Sequence, residues 1–545
     1  MVEAHCVQRF PNEAIEVKTG LYGDLEGTLS LAAKSQADAA VVVIEWSDLD
    51  PRLGFRGSGG WALSLQADIL ATCQGRFTRL LRGLESLGGK MPVALVPPTL
   101  LPTPWGHTAS WHCSLNELEL QKYTTAFLAD AARISGVSII HPAHLARVSP
   151  EAGRADTTME LRAGFPYTIG HASAVADQAI RLLYPPSPKK GLITDLDETL
   201  WSGILGEAGA SNVSWSLGDH AQIHGLYQHM LRHLSEMGVL IGVASKNEQA
   251  VVEQALLRED LFAPAQALFP VCANWGPKSA SVAEILRVWN IGPESVVFVD
   301  DSPMELDEVK AAFPAMTCLL FPTKRAAKCV ELLDELRSLF GKGTVQREDA
   351  LRGASIRANA AMQTSAVGSA DGAFVRGLEG CVTFDCRKDP SNQRIPELIN
   401  KTNQFNLNGV RTSTGEWLKQ IQDENSLVVG VSYDDKFGPL GTIGALAGRR
   451  VKNELEVTSW VLSCRAFSRR IEDHMLDHVF QHHGISTVRL NFRRTERNEP
   501  LRRYLAGLGL ELELEPGAGA DVLLSPEQFY NQIGELPHRV RLQNE

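Results

Sequence analysis

The fold of this chain is decided by the stretch Gly191-Leu192-Ile193-Thr194-Asp195-Leu196-Asp197-Glu198-Thr199, in which an apolar run ends in two carboxylates. The run 191–194 predicts a short buried strand, and Asp195 and Asp197 follow where the strand gives way to a loop. Open α/β sheets bind ligands at the carboxyl ends of their strands. One carboxylate at such a position can attack phosphorus while its neighbour moves a proton, and both can share Mg²⁺ with a phosphate.

Size and composition set the limits of the prediction. The chain has 545 residues, which predicts about three domains at the usual ~150 residues each. It is 44% hydrophobic and 21% charged, as is typical of a globular protein in water. A net charge of -11 without a dense basic run argues against nucleic acid as a partner.

The cysteines and the apolar runs predict the compartment. Nine cysteines are scattered without a CxxC pair, which favours reduced thiols in a cytoplasm. The first residues lack the basic and apolar segments of a signal peptide, and no apolar run reaches the ~18 residues of a membrane span. We therefore expect a cytoplasmic protein that does not enter a membrane.

The order of apolar and polar segments predicts an α/β multidomain chain. In the first domain, 1–185, strands are predicted at 39–44, 92–96 and 137–140, with a helix at 118–132. This alternation implies a parallel sheet, and a proline-rich linker follows at 185–188. The second domain, 186–345, has apolar runs at 192–194, 239–244 and 295–299, and runs this continuous fit strands covered on both faces.

The rest of the chain predicts a linker and a third domain. A polar helix and a Ser/Gly-containing stretch fill 346–372. The domain 373–545 reads as α+β, with a hairpin at 428–431 and 438–444, a strand at 456–462 and a helix at 468–480.

Four elements of the second domain could together handle phosphate, and each lies at a predicted strand end or in a loop. They are Asp195-x-Asp197-x-Thr199, Ser245-Lys246-Asn247, Lys278 and Asp300-Asp301. We expect Asp195 to act as nucleophile and Asp197 as general acid/base. The hydroxyl of Ser245 would donate to a phosphoryl oxygen, and Lys278 would neutralise the charge of nucleophile and phosphate.

The remaining polar groups of these elements predict a metal shell and substrate contacts. Asp300 and Asp301 would complete an oxygen-rich Mg²⁺ site with the first two aspartates. The candidate substrate-binding side chains around it are those of Thr199, Lys246 and Asn247. A lone acidic pair in a loop is usually solvated or caps a helix, so it is the ordered set of four that indicates catalysis.

This set of motifs resembles the haloacid dehalogenase (HAD) superfamily of phosphatases and phosphotransferases, over about 189–340. The resemblance implies a Rossmann-like parallel sheet. The gaps from Thr199 to Ser245 and from Ser245 to Lys278 leave no room for a large cap domain. By resemblance to HAD enzymes without a cap, the site would be open and would admit a substrate carried on a protein.

A narrower resemblance extends over nearly the whole chain. The residues that carry it are the run 195–207 with Trp201, Gly203 and Gly206-Glu207, together with 44–50, 245–247, 274–278, 299–303, 400–407 and 462–465. In these runs the chain is similar to FkbH-like proteins of HAD subfamily IIIC, the glyceryl-loading enzymes of polyketide biosynthesis. The resemblance implies transfer of a D-glyceryl unit from 1,3-bisphosphoglycerate to the phosphopantetheine thiol of an acyl carrier protein, with removal of phosphate.

The sequence departs from that family at several positions. Ala244 stands where cysteine is common, Glu198 replaces Asn, Ser202 replaces Gly, and Asn408-Gly409 replaces a Thr-Thr run. These departures concern the acyl group rather than the fold.

The two outer domains carry further resemblances. The third domain resembles the GNAT acyltransferase fold, but its register 465–470 lacks the two glycines that would let the backbone approach a pyrophosphate. CoA binding is therefore disfavoured. The first domain resembles an SGNH hydrolase without a Gly-Asp-Ser nucleophile, which favours a structural or docking role.

Several polar residues of the third domain are further candidates. Cys464 could carry the acyl group as a thioester, or be a small buried residue at a strand end; Cys272, in the second domain, is a weaker candidate. Asn403 and Gln404 could orient substrate or cap a helix. Five arginines could meet the phosphate of the carrier or form an ordinary solvated face: Arg469, Arg470, Arg493, Arg494 and Arg497.

Three alternatives to glyceryl loading remain open. The chain could be a plain phosphatase or a loader of another phosphorylated hydroxy-acid, a CoA-dependent acyltransferase, or a non-enzymatic adaptor for carrier proteins. The complete set of four motifs argues against the adaptor, and the lost glycines argue against CoA.

Overall fold

The computed structural model describes all but a few short parts of the chain. The residues outside the description are 22, 58–60, 324, 344, 346–348, 350, 351, 355, 358–374, 391, 437, 464, 465, 468, 511, 513, 544 and 545, together with the side chain of 414. The predicted boundary at 364–372 and the candidate Cys464 lie outside the described residues. Two compact units are present: Met1–Pro186 with Ser413–Lys419, and Ser187–Thr412 with Gln420–Glu545.

The first unit contains a three-stranded parallel sheet, as predicted. Its strands are β1 (Ala40–Val43), β2 (Val93–Val96) and β3 (Val137–Ile139), hydrogen-bonded in that order. Each is one or two residues shorter than predicted. The helices are Val2–Arg9, Leu25–Ala32, Trp46–Leu49, Gln66–Gly88, Leu115–Ala131, Pro142–Val148, Thr157–Ala163 and Ile169–Leu183.

The helix Gln66–Gly88 provides much of the core of this unit. Its buried residues Ile69, Phe77, Leu80 and Leu84 recur at intervals of three to eight, so they share one face of the helix. They pack with Val93 and Leu95 of the sheet in one apolar cluster.

The second unit begins with a five-stranded sheet, the central sheet, in which all strands are parallel. Its strands are β4 (Gly191–Thr194), β5 (Leu240–Ser245), β6 (Leu268–Ala273), β7 (Val296–Asp300) and β8 (Thr317–Leu320), in the order β6-β5-β4-β7-β8. The helices are Leu205–Ala208, Gln222–Glu236, Gln249–Leu256, Lys278–Trp289, Pro303–Ala312 and Ala326–Phe340. Residues 195–221 contain a single four-residue helix, so no large cap is inserted after β4.

The central sheet is covered on both faces, which explains its continuous apolar runs. Leu192 belongs to one apolar cluster and the next residue, Ile193, to the cluster on the other face. The chain passes from β4 to β5 on one side and returns to β7 on the other. The carboxyl ends of these three strands therefore form the crevice in which α/β sheets bind ligands.

The second unit also contains an eight-stranded mixed sheet, the C-terminal sheet. Its strands are β9 (Cys381–Asp385), β10 (Phe405–Asn406), β11 (Ser426–Asp435), β12 (Gly438–Val451), β13 (Glu454–Leu462), β14 (Thr487–Arg493), β15 (Gly519–Leu524) and β16 (Arg539–Leu542). The order is β15-β14-β13-β12-β11-β9-β16, and β10 pairs with β13. The pairs β13–β14 and β9–β16 are parallel and the others antiparallel.

Helices accompany the C-terminal sheet, as the α+β prediction required. They are Arg394–Lys401, Ile471–His482, Glu499–Gly507 and Pro526–Gln532. One more helix, Thr414–Gln422, belongs to the first unit as far as Lys419. The predicted hairpin is observed as β11 and β12 but is longer at both ends.

Apart from Pro186 and Ser413–Lys419, the predicted domains 186–345 and 373–545 lie in one compact unit, although each has its own sheet and core. Arg497 of the C-terminal part forms an ion pair of 2.6 Å with Glu294 of the central part. Lys190 donates to the backbone oxygen of Lys401 at 3.2 Å. Across the described ranges, no helix has the length and apolar character needed to cross a membrane.

Candidate functional site

The four predicted motifs meet at the carboxyl edge of the central sheet. Asp195 follows β4, Ser245 ends β5 and Asp300 ends β7, and these are three adjacent strands. Lys278 is the first residue of the helix that follows β6. Neighbouring parallel strands bring their ends together, so residues 105 positions apart in sequence share one site.

Lys278 connects the carboxylates of this site. Its side chain is 2% exposed, and its ammonium nitrogen Nζ lies 2.6 Å from Oδ1 of Asp195 and 2.8 Å from Oδ2 of Asp300. A third carboxylate, that of Glu305, lies 3.0 Å away. A buried ammonium is stable only when it is paired and hydrogen-bonded, and all three of these contacts serve that need.

A group of three carboxylates, the carboxylate cluster, could hold a metal ion. It consists of Asp195, Asp300 and Asp301, each of which offers an oxygen within 4.8 Å of the others. Glu305 also pairs with Lys246 at 2.8 Å, so among the described residues Lys278 is the cation that faces the cluster. With all three aspartates ionised, three negative charges would face this one positive charge. A divalent cation would cancel the remaining two, and an all-oxygen donor set fits the predicted Mg²⁺.

The pKa values reflect this crowding. Burial raises the pKa of Asp195 to about 7, against the attraction of Lys278. Burial and the charge of Asp300 raise the pKa of Asp301 to about 6. Burial lowers the pKa of Lys278, but Asp195 and Asp300 outweigh it and hold that pKa above its ordinary value. A bound cation would favour the ionised form of each aspartate.

The carboxylate of Asp197 is held by hydrogen bonds rather than by Lys278. Its Oδ1 accepts from the indole Nε1 of Trp201 at 2.9 Å and from the backbone N–H of Leu205 at 3.1 Å. Its Oδ2 accepts from the amide of Asn247 at 3.0 Å, and the same amide donates to Oγ of Ser245. Asn247 therefore connects the second aspartate with the predicted phosphate-binding hydroxyl.

The turn after β4 has a backbone that few residues adopt. Glu198 has a φ of 53°, and its Oε1 accepts from the backbone N–H of Gly203, which has a φ of 104°. Left-handed backbone is costly for a residue with a Cβ, and asparagine tolerates it better than glutamate. The hydrogen bond to Gly203 closes the turn around Asp197.

Thr199 and Lys246 have different surroundings within the site. Thr199 is fully buried, and its Oγ1 makes no hydrogen bond among the described residues, while its backbone oxygen accepts from His224 at 2.9 Å. Lys246 is half-buried and is held by Glu305.

Two contributors to the site were not predicted from the sequence. Glu305, in the helix Pro303–Ala312, joins Lys246 to Lys278, and Trp201 donates to Asp197. The only local signal for Glu305 was its place one turn after Asp300-Asp301 at the start of a helix.

Asn403 and Gln404 are the candidate substrate-binding residues of the C-terminal part that the structure describes. No hydrogen bond or ion pair within the described ranges links Asn403 or Gln404 to the carboxylate cluster. Oδ1 of Asn403 instead accepts from Arg411. Asn406 and Asn408 of the same run bond to nearby backbone, which favours a structural role for it.

The five candidate arginines are engaged within the protein. Arg469 is buried and lies 3.4 Å from Asp435, and Arg470 pairs with Asp473 at 2.7 Å. Arg497 pairs with Glu294, while Arg493 and Arg494 donate to backbone oxygens of 517 and 514. They do not form a purely solvated face.

Burial raises the pKa of the Cys272 thiol, the opposite of what a reactive cysteine needs. This environment favours a structural role for Cys272.

Comparison with known proteins gives no family for this chain. No protein-family model matches it, and no curated protein does. Among solved structures that match is the N-terminal part of the protein BF1531 from Bacteroides fragilis, which contains a phosphatase domain complexed with Mg. It is 21% identical with a TM-score of 0.49, over 63% of this chain and 90% of that one. An uncharacterized protein from Corynebacterium glutamicum is 18% identical with a TM-score of 0.21, over 28% of this chain and 98% of that one. Both TM-scores lie below 0.5, so the functional conclusion rests on the site itself.

Proposed function

We propose that this chain is a Mg²⁺-dependent enzyme of phosphoryl chemistry, with the HAD-type active site at the carboxyl edge of the central sheet. The observation that carries the proposal is the buried ammonium of Lys278 between Asp195 and Asp300, with Asp301 beside them. Desolvating a lysine and three carboxylates at a strand edge is costly to stability, and active sites are where such groups gather.

The residues fit a two-step displacement. Mg²⁺, when bound by the carboxylate cluster, would supply charge neutralisation for the transferred phosphoryl group. Asp195 attacks phosphorus, so that an O–P bond to its carboxylate forms and the ester O–P bond breaks. Asp197, in its protonated form, gives its proton to the leaving oxygen.

The second step returns the enzyme to its starting state. Water attacks the phosphorus of the aspartyl phosphate, its proton goes to the carboxylate of Asp197, and the bond to Asp195 breaks to release inorganic phosphate. The hydrogen bonds from Trp201, Leu205 and Asn247 fix the position of Asp197 for both proton transfers. Lys278 and Ser245 would hold the phosphoryl oxygens.

For the substrate, we propose a phosphorylated acyl group delivered to a carrier protein. The resemblance of 195–207, 400–407 and 462–465 to glyceryl-loading enzymes supports 1,3-bisphosphoglycerate as the donor. The pantetheine thiol would attack the acyl carbon, so that the C–S bond forms, the acyl C–O bond to phosphate breaks, and the thiol proton leaves with the released phosphate. The remaining phosphate ester would be hydrolysed at Asp195. Whether Cys464 relays the acyl group stays a prediction, as do substrate-binding roles for Asn403 and Gln404.

Intact-mass analysis of a holo acyl carrier protein tests this proposal. The carrier is incubated with the enzyme, Mg²⁺ and 1,3-bisphosphoglycerate, and we expect a glyceryl thioester. With Asp195→Asn, we expect release of phosphate from the ester to stop. Phosphate release without any adduct on cognate carriers would show that the enzyme is a phosphatase that does not load a carrier protein. Absence of both adduct and phosphate release would overturn the whole proposal.

A further inference from the structure

Three metal-ligating side chains meet in the C-terminal part of the second unit, outside the site described above. Cys386 comes directly after β9, His478 lies in the helix Ile471–His482, and His483 follows the end of that helix. Cys386 and His478 are 92 residues apart in sequence, so no local spacing reveals the group. The proposed phosphoryl chemistry uses none of the three.

Two of the three distances between the ligand atoms match those of a tetrahedral zinc site, and the third is longer. Sγ of Cys386 lies 3.5 Å from Nε2 of His478 and 4.0 Å from Nε2 of His483, and the two nitrogens are 3.4 Å apart. Zn–S bonds of about 2.3 Å and Zn–N bonds of about 2.05 Å at tetrahedral angles place S and N about 3.5 Å apart, and the nitrogens about 3.3 Å apart. The His483–sulfur distance is the longest of the three.

The surroundings fix the ring of His478 next to the other two ligands. The ring is buried and stacks on Phe384, with ring centroids 4.1 Å apart and planes inclined by 6°. This packing holds Nε2 of His478 between Sγ of Cys386 and Nε2 of His483.

Hydrogen bonding alone satisfies these atoms poorly. A neutral imidazole Nε2 offers either one lone pair or one N–H, and Nε2 of His478 faces both the thiol and the second imidazole. One cation in the middle of the group would satisfy the sulfur and both Nε2 atoms together.

We propose that Cys386, His478 and His483 bind one Zn²⁺ ion, with a fourth coordination position for water or a small ligand. A thiolate with two imidazoles is a set that zinc favours, whereas the all-oxygen carboxylate cluster suits Mg²⁺. Binding replaces the thiol proton of Cys386 with the metal, and the proton is released to solvent. Cys386 and His483 are half-buried, whereas His478 is fully buried.

Cobalt substitution in the presence of excess Mg²⁺ tests the proposal. The Mg²⁺ occupies the carboxylate cluster, and Co²⁺ is titrated into the full-length, metal-stripped protein. We expect a near-ultraviolet charge-transfer band from cobalt-bound thiolate that saturates at one equivalent, and visible bands typical of tetrahedral Co²⁺. One equivalent of Zn²⁺ should abolish both. The thiolate band cannot arise from the carboxylate cluster, because that cluster contains no sulfur.

Adjacent histidines provide a matched control. His483→Gln should weaken Co²⁺ binding by more than roughly 100-fold. Loss of a residue that only hydrogen-bonds to a metal ligand weakens binding by roughly 10- to 100-fold, and loss of the ligand itself should have a larger effect. His482→Gln should leave binding unchanged, because His482 stacks on His478 but is not one of the three ligands. Cys386→Ser should remove the charge-transfer band.

Two results would overturn the zinc site. One is the absence of a thiolate band in the wild-type protein, which would mean that Cys386, His478 and His483 only hydrogen-bond to one another. The other is a band that persists in Cys386→Ser. Mg²⁺-dependent phosphate release is measured on the same samples and shows whether each variant is folded. If the wild-type protein releases no phosphate, that result contradicts the proposed function and not the zinc site.

Discussion

At the scale of single residues, the site is organised by one buried cation. The ammonium of Lys278 touches three carboxylates, so its removal leaves negative charges facing each other without solvent. Deleting one partner of a buried ion pair is strongly destabilising, because the other charge is left buried and unpaired. Replacing both partners by apolar residues of similar size has a much smaller effect on stability. Lys278 therefore affects both the fold and the chemistry.

Lys278→Met is expected to lower the free energy of unfolding by about 3–5 kcal/mol near neutral pH in the absence of Mg²⁺. The loss should shrink at acid pH, where the aspartates are protonated. Urea denaturation at two pH values measures it. Lys328→Met is the matched control, since the ion pair of Lys328 with Glu331 is exposed and should contribute almost nothing. Equal effects of the two substitutions would contradict the burial of Lys278.

The raised pKa of Asp195 gives a pH dependence with a definite sign. The pKa of Asp195 is about 7 in the folded protein and about 4 in the unfolded chain. Between pH ~4 and ~7, Asp195 is therefore protonated in the folded protein and ionised in the unfolded chain. Metal-free stability from this group is complete at low pH and is lost as the pH rises through about 7.

Mg²⁺ needs the ionised carboxylates, so its affinity should rise with pH and level off above pH ~7. The rise should be up to roughly tenfold per pH unit where Asp195 alone titrates, and steeper below pH ~6, where Asp301 is protonated as well. Calorimetric titrations in buffers of different ionisation enthalpy should show proton release below pH ~7 and little at pH ~8. Asp195→Asn should bind Mg²⁺ more weakly and lose most of this dependence. Affinity that is constant across the range would rule out proton competition at Asp195.

At the scale of elements, the helix Lys278–Trp289 connects packing with the site. Lys278 begins it, and Trp289 ends it against the central sheet, where the glycines Gly191 and Gly242 make room. A Cβ on Gly242 would lie 2.9 Å from Cζ2 of Trp289 and one on Gly191 would lie 2.5 Å from its Cζ3, both too close for an unmoved ring. The two glycines thus let the helix that carries Lys278 lie close to the sheet.

Gly242→Ala is expected to destabilise the protein by about 1–3 kcal/mol through overpacking and to reduce phosphate release by moving Lys278. Gly206→Ala is the control, because a Cβ at Gly206 meets nothing within 4 Å. Chemical denaturation and phosphate release are compared for both variants. An unchanged Gly242→Ala protein would show that the helix does not depend on this contact.

In the central sheet, the strands that are buried on both faces could be predicted from the sequence, and the partly buried edge strands could not. The runs of β4, β5 and β7 are continuous and apolar because helices cover both faces. The edge strands β6 and β8 are only partly buried and carry mixed residues, so they were missed. The strands β9, β10, β14, β15 and β16 were missed as well.

Some residues of the site could be predicted from the sequence and others could not. The predictable ones directly follow or end an apolar strand run, or begin the next helix; they are the aspartates, Ser245 and Lys278. Glu305 reaches Lys278 only through tertiary packing, and the group of Cys386, His478 and His483 depends on a helix end approaching a strand end. No local sequence pattern predicts contacts between residues so far apart in the chain.

At the scale of the whole molecule, the chain forms two compact units with separate cores. The carboxylate cluster and the proposed zinc site both lie in the second unit. A ligand that binds only the folded form of a unit stabilises that unit by mass action.

Differential scanning calorimetry should therefore resolve more than one transition, and Mg²⁺ should raise the temperature of only one. At a concentration about 100 times Kd, the stabilisation is about 2.7 kcal/mol. The shift should be strongly reduced in Asp195→Asn. A single transition that Mg²⁺ shifts as a whole would show that the two units unfold together.

The most direct test of the central claim is detection of a phosphoryl group on Asp195. The enzyme is mixed with Mg²⁺ and an activated phosphate ester, quenched in acid within one turnover, digested and analysed by mass spectrometry. We predict a phosphorylated peptide with the modification on Asp195, absent from Asp195→Asn and absent when Mg²⁺ is withheld. Phosphate release at the wild-type rate by Asp195→Asn, or a phosphoryl group on another residue, would contradict the account.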